Sequence, residues 1–273
     1  MTANDHTAGE RQGSGQRDGR AVSDLVGYVL MVGIILVGVG LTATVGVDHL
    51  ESAQLSQNER GIERAMEVLE GNLDEIQTAR AAVRTTTMSL DSGQFVVAAG
   101  STPSTITVNV SGVGDSPTTY DMGAIRYDFD GGVVAYEGGG VFLRTRRGNA
   151  IPRAQPTITC TADRAVVSFV TIQGPAAGRS YSGATAKVVA RENRSRLLFP
   201  TNRSGTGSLA TSTGVNVTID SDYESGWEAF MLGPDQAWQT DASTPWDYRC
   251  EPATGSTMPV YVRQSVVNMS VGR

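Results

Sequence analysis

LVGYVLMVGIILVGVGLTATVGV, residues Leu25 to Val47, is a run of 23 residues without a charge. As a helix it rises roughly 34 Å, enough for a bilayer hydrocarbon core of about 30 Å. A cleaved secretory signal is the competing reading, but its apolar region normally spans only about 7–15 residues and a small-x-small cleavage site is lacking. No other segment is apolar enough to surround such a helix inside a soluble core. The run therefore predicts a membrane-spanning helix at the head of an α+β chain. This long N-terminal hydrophobic helix would continue into an amphipathic stalk helix and then a mainly antiparallel β-sandwich or rolled-sheet domain.

The flanks orient the run. Residues 1–24 are polar and aperiodic, the composition of a disordered segment. Arg11, Arg17 and Arg20 precede the apolar stretch, whereas Asp48, Glu51 and Glu59 come after it before the first basic residue, Arg60. The positive-inside rule then places the N-terminus in the cytoplasm and everything beyond residue 47 outside the cell. Five of the nine asparagines stand in Asn-x-Ser/Thr sequons: Asn109, Asn193, Asn202, Asn216 and Asn268. All five lie on the proposed outer side, where glycosylation is expected. Cys160 and Cys250, the only cysteines, lie there too. An oxidising compartment permits one disulfide between them, and two buried free thiols are the alternative.

Beyond the apolar run the periodicity is helical. Leu55, Ile62, Leu69, Ile76 and Val83 recur every seven residues, with Met66 and Leu73 between them. The stripe is interrupted by Gly61, Gly71 and Arg80. It calls for burial, either against the protein's own globular part or against other copies in a coiled coil. From residue 85 the period falls to two. Strands are expected at 94–99, 105–110, 124–129, 133–136, 141–145, 165–173, 186–191, 215–219 and 260–267, with a tight hairpin at Asp130-Gly-Gly. Tyr223, Trp227 and Phe230 repeat at helical spacing within 221–232 and read as core packing on a short helix.

Composition excludes several classes of function. A net charge of −6 removes the basic face that nucleic-acid binding needs. Residues 48–84, with eight acids and four arginines, contribute most of that charge. Only two histidines exist, His6 and His49, so a Ser-His-Asp or Cys-His arrangement cannot be assembled from the outer part. There is no HExxH, no clustered Cys/His and no phosphate-binding loop; Gly138-Gly-Gly140 lacks the following Lys-Ser/Thr and reads as a turn. Asp128 with Asp130 could bind a cation, but such pairs are routine beside hairpins. The reading is a non-enzyme without cofactor or metal.

Asp18-Gly-Arg-Ala-Val-Ser-Asp-Leu-Val-Gly27-Tyr-Val-Leu-Met-Val resembles the N-terminus of archaeal, especially haloarchaeal, type IV pilin-like proteins. Those carry a class III signal: a polar leader, a basic residue, a small residue, the cut, then a long hydrophobic helix. The resemblance implies cleavage by prepilin peptidase after Arg20-Ala21, with Val22 the new N-terminus and Gly19 the runner-up small residue. Asp24 would then neutralise the new amine, and Gly38, Thr42 and Gly46, four apart, would form a ridge for close helix packing. Ordinary tolerance of glycine in membrane helices accounts for that ridge equally well. The implied organisation is a leader at 1–21, a transmembrane or filament-core helix at 22–47, an amphipathic stalk helix at 48–84 and an extracellular β-rich domain at 85–273. The implied protein is a minor pilus or filament-associated subunit with a surface or adhesive role, and the alternative is a solitary membrane-anchored surface glycoprotein. Its partners would be the membrane, the peptidase and other pilin-like subunits, with no nucleic acid.

Overall fold

Helix α1 (Asp18–Gln77) leads into β1 (Val83–Ser89), β2 (Gly93–Ala98), β3 (Ser104–Val110), β4 (Thr118–Asp121), β5 (Ala124–Phe129), β6 (Gly132–Glu137), β7 (Gly140–Thr145) and β8 (Ala150–Ala154). Next come β9 (Ile158–Thr161), β10 (Arg164–Gln173), β11 (Arg179–Tyr181), β12 (Thr185–Phe199), β13 (Thr211–Ser212) and β14 (Val215–Ser221). Helix α2 (Glu224–Met231), β15 (Tyr248–Cys250) and β16 (Met258–Gly272) are last. The computed structural model describes residues 18–90, 93–99, 104–112, 117–146, 148–183, 185–200, 211–240, 242–253 and 257–272, without the side chains of 18–24 and 41–59. The chain divides into two units, Met1–Gln57 and Asn58–Arg273. The sheets all belong to the second.

Three sheets build that second unit. The first runs β1-β12-β16-β10-β9 with β13 added to β16, the second β11-β2-β5-β6-β7-β8, and the third β15-β14-β3-β4. β10 and β16 pair in parallel, while the other strand pairs are antiparallel. A two-residue hairpin joins β6 to β7 through Gly138 and Gly139, whose φ values of 62° and 115° are the positive ones a primed turn requires. Gly138 is also sterically compelled, because a Cβ there would stand 2.7 Å from the Met122 sulfur.

β6 and β7 are buried on both faces and divide two apolar cores. Val134, Tyr136, Val141 and Leu143 face one core; Ala135 and Phe142 face the other. Into the first core α1 inserts Ile62, Met66, Leu69, Leu73 and Ile76, a stripe at helical spacing. The stripe is thus covered by the protein's own sheets. Asn72 donates to Thr86 Oγ1 (2.9 Å), Gln77 to Ser168 Oγ (2.7 Å), and Arg153 pairs with Glu63 (3.2 Å), which fixes the helix lengthwise. α1 ends at Gln77, where Ala79 takes φ 60°, so Val83, expected on the helical stripe, begins β1 instead. Trp227, Phe230 and Met231 of α2, with Tyr223 before it, fill the second core, and Gly226 lets α2 settle onto Phe142 and Ala150.

The expected α+β class is corrected on three counts. The described residues are mostly strand, so the protein is mainly β. The β part is three sheets with a parallel pair at its centre, not one antiparallel sandwich or rolled sheet. No helix among the described residues is long and apolar enough to cross a membrane. Of the expected span, the side chains of residues 22–24 and 41–47 lie outside the described residues.

Candidate functional site

In the first unit the notable surface is the helix at residues 25–40. Every described side chain there is exposed, and the large ones are all apolar, from Val32 at 36% to Tyr28 at 68%. A Cβ added at Gly27, Gly33, Gly38 or Gly40 would meet nothing within 4 Å. Nothing among the described residues requires a glycine at those positions. Contiguous apolar surface beyond a few hundred Å² is rare on monomeric soluble proteins and marks an interaction site. Leaving each large apolar side chain in water forgoes roughly 1.5–3 kcal/mol.

Of the residues singled out from the sequence, Gly19, Arg20, Ala21, Val22 and Asp24 fall within α1, as do Thr42 and Gly46, but their surroundings lie outside the described residues. Gly38 is exposed on the apolar segment. Asn202 lies outside the described residues. Asn193 is exposed on β12, and Asn268 is half-buried on β16 opposite Arg191. Asn109 and Asn216 face each other across β3 and β14, and the Asn216 amide donates to Ser111 Oγ (3.3 Å), the hydroxyl of the Asn109 sequon. Cys160 and Cys250 are joined in a disulfide that ties β9 to β15 across 90 residues. Asp128 and Asp130 are each engaged by an arginine, Arg126 at 3.3 Å and Arg146 at 3.0 Å.

Two polar features of the second unit carry no signal that the sequence reading caught. The first is Glu137 at the end of β6, 1% exposed. Its Oε1 accepts from Ser221 Oγ (2.6 Å) and Trp227 Nε1 (2.7 Å), linking the second sheet to β14 and α2. Oε2 and the nearby Ser104 Oγ are buried without a hydrogen-bond partner among the described residues. Burial pushes the Glu137 carboxyl up to about 7, against the hydrogen bonds from Ser221 and Trp227 that pull it down. The group is enclosed in the core, which makes it a structural brace rather than a reagent.

The second feature is a cleft of about 210 Å³ between α2 and β15. Glu224 and Glu228, one turn apart on α2, line it with Asp247, Thr240 and Tyr248 over a floor of Trp227. Asp247 Oδ2 accepts the Ile219 N–H (2.9 Å), which fixes that carboxylate. Glu224 and Glu228 are exposed and have no ion pair or hydrogen bond from their side chains among the described residues. The Tyr248 hydroxyl is pushed well above its ordinary range, first by burial and then by the fields of Asp247, Glu228 and Glu224. Among the described residues no group of three His, Cys, Asp or Glu side chains could hold a metal ion. The i, i+4 spacing of the two glutamates is visible in the sequence; Asp247, nineteen positions beyond Glu228, has no such signal.

Neither a curated protein nor a solved structure matches this chain. Residues 20–270 match a family described as Family of unknown function (DUF7289). That match runs from the start of the apolar helix through all three sheets, and the chain accordingly belongs to the DUF7289 family.

Proposed function

We propose that the chain is a pilin-like surface subunit. In this reading prepilin peptidase cuts after Ala21, residues from Val22 onward pack among copies or related subunits, and residues 58–273 form the surface-exposed part with a structural or adhesive role. The observation that carries it is the wholly apolar, wholly exposed helix surface of residues 25–40, which the described chain itself leaves uncovered. Open space beside Gly33, Gly38 and Gly40 supports close approach of another helix. The Cys160–Cys250 bridge supports an oxidising compartment for the second unit.

The test is the mature N-terminus, read by mass spectrometry in wild type and in a strain lacking prepilin peptidase, together with the composition of sheared surface filaments. The expected outcome is a peptide beginning at Val22, its loss in the peptidase-deficient strain, and the protein in the filament fraction. An intact Met1 would overturn the processing. A start after Ala43 would remove the apolar segment and end the reading altogether. Recovery with membranes alone would favour a solitary anchored surface glycoprotein.

A further inference from the structure

Four of the five sequon asparagines lie among the described residues, and they stand in two kinds of backbone. Asn109, Asn216 and Asn268 occupy paired ladder positions. Asn109 and Asn216 oppose each other across β3 and β14, and Asn216 has Arg249 of β15 on its other side. Asn268 lies between Arg191 of β12 and Gln173 of β10. All three are half-buried, and a sugar on any of them would have to rise between cross-strand neighbours whose Cβ atoms stand about 5 Å away. Asn193 differs. The register against β16 passes from Glu192 opposite Val267 to Arg194 opposite Val266, so Asn193 is the extra residue of a bulge and faces no residue of β16. On its other side β1 ends its pairing with Val83 opposite Arg191, and the last link is Glu192 N–H to Ala82 O (2.9 Å). Beyond that point β12 is an open sheet edge among the described residues. Asn193 is exposed, and its side chain makes no hydrogen bond among the described residues.

An acceptor asparagine belongs on a surface segment that is not bound into a ladder, because a transferase must take it up and the product is bulky. Of the four, Asn193 alone meets both demands. We propose that Asn193 is an N-glycosylation site of the second unit and that Asn109, Asn216 and Asn268 stay unmodified. The donor is an isoprenoid-phosphate-linked oligosaccharide. Nδ2 of Asn193 bonds to C1 of its first sugar while the bond from C1 to the phosphate oxygen breaks. That oxygen keeps the electron pair, and the amide nitrogen gives up one proton. Ser195, the third residue of the sequon, accepts from Arg263 Nε (3.0 Å) and lies 3.3 Å from Ser265 Oγ in the folded protein. Transfer before β12 closes on β16 leaves those bonds to form afterwards, with the sugar standing clear at the bulge. The proposal rests on the reading that puts residues 58–273 at the cell surface, and adds which side chain that surface presents modified.

The test is site-resolved mass spectrometry of the full-length chain purified from its own cells, with fragmentation that keeps each sugar on its asparagine. Cleavage after Arg196 separates Asn193 from Asn202, so the two are read independently. A glycan mass is expected at Asn193, and bare peptides at Asn109, Asn216 and Asn268. Asn193→Gln and Ser195→Ala should each remove that mass, whereas Ser195→Thr, which keeps the hydroxyl, should retain it. A bare Asn193 overturns the proposal, as does sugar on any of the other three. Sugar that survives Ser195→Ala overturns it equally, since the sequon would then not direct the attachment. A bare Asn193 in a chain that begins at Val22 and is present in filaments sinks the site alone. Sugar at Asn193 in a chain that keeps Met1 and stays with membranes sinks the pilin reading alone.

Discussion

Residues 25–40 and 62–76 of α1 are both helical and both rich in large apolar side chains, but they end in opposite environments. In 62–76 the apolar positions form one stripe, Ile62, Met66, Leu69, Leu73 and Ile76, each at most 8% exposed, with Glu63, Arg64, Glu67 and Asp74 on the other faces. In 25–40 the apolar side chains point in every direction and none is buried. A single stripe can be satisfied by one sheet of the same chain. A cylinder that is apolar all round needs an apolar environment on all sides, which one sheet cannot supply. Amphipathicity here separates the helix that folds with its own chain from the helix surface that awaits another molecule.

The largest effect should fall on the stripe. Leu73 is fully buried in the core that α1 shares with the sheets, and Leu73→Ala removes about 2–5 kcal/mol by leaving a cavity. Leu36, 66% exposed, should change unfolding by no more than about 0.5 kcal/mol as alanine, while weakening recovery of the protein in surface filaments. Denaturant unfolding of both variants checks the contrast. Equal destabilisation by the two substitutions would break it, since residues 25–40 would then be covered by the chain itself.

Regular periodicity is readable in the sequence and long-range arrangement is not. The strand at 124–129 stands at its expected bounds, the Tyr223-Trp227-Phe230 repeat yields a helix at Glu224–Met231 inside the expected 221–232, and the stripe holds as far as Ile76 although its spacing predicts it as far as Val83. β1 escapes such a reading because its inward pair, Thr86 and Met88, holds only one apolar residue among Arg84, Thr85 and Thr87, and because nothing at Ala79 announces a helix end as a glycine would. The tight hairpin expected at Asp130-Gly-Gly is present, Phe129 pairing with Gly132 across it, but two consecutive positive φ values occur at Gly138-Gly139 instead. The division into three sheets depends on pairings such as β10 with β16, some ninety positions apart, which alternation does not encode. The Glu137 brace and the acidic cleft are unreadable for the same reason.

A polar brace sharpens the comparison through pH. Glu137 is held at about 7 in the folded protein against 4.5 when free. Between those values the native state keeps a proton that the unfolded chain has lost. Stability should therefore be greatest below about pH 4.5 on this account and fall as pH rises towards 7, by roughly 3 kcal/mol in all. Glu137→Gln keeps an acceptor for Ser221 and Trp227 and removes the charge, so its unfolding curve should be flatter and its stability above that of wild type at pH 8. The slope that remains belongs to Glu70 on α1, also raised to about 7, first by burial and then by Asp74 and Glu67; its partial exposure reduces the effect. Residues 25–40 carry no acidic, basic or histidine side chain, so association through them should be flat over pH 5–8. A pH-dependent association tracking the Glu137 titration would tie the two regions together and break the contrast.

The smallest expected effect lies where α1 stops. Thr78 N–H donates to Asp74 O (2.7 Å), Ala79 N–H to Ile76 O (3.0 Å) and Arg80 N–H to Glu75 O (2.8 Å), a C-terminal cap that depends on Ala79 holding φ 60°. The left-handed conformation costs an L-residue roughly 1–2 kcal/mol, and glycine avoids most of that at the expense of some unfolded-state entropy. Ala79 is exposed, so no packing is lost on its replacement. Ala79→Gly should therefore stabilise the second unit by about 0.5–1 kcal/mol, seen as a higher denaturation midpoint with an unchanged slope. The stabilisation acts on the buried stripe only a few residues away and should leave assembly through residues 25–40 as it was. If association strengthened by the same free energy, α1 would be transmitting order along its length as one cooperative rod, and the two environments of its apolar side chains would be two readouts of one equilibrium instead of separate contacts.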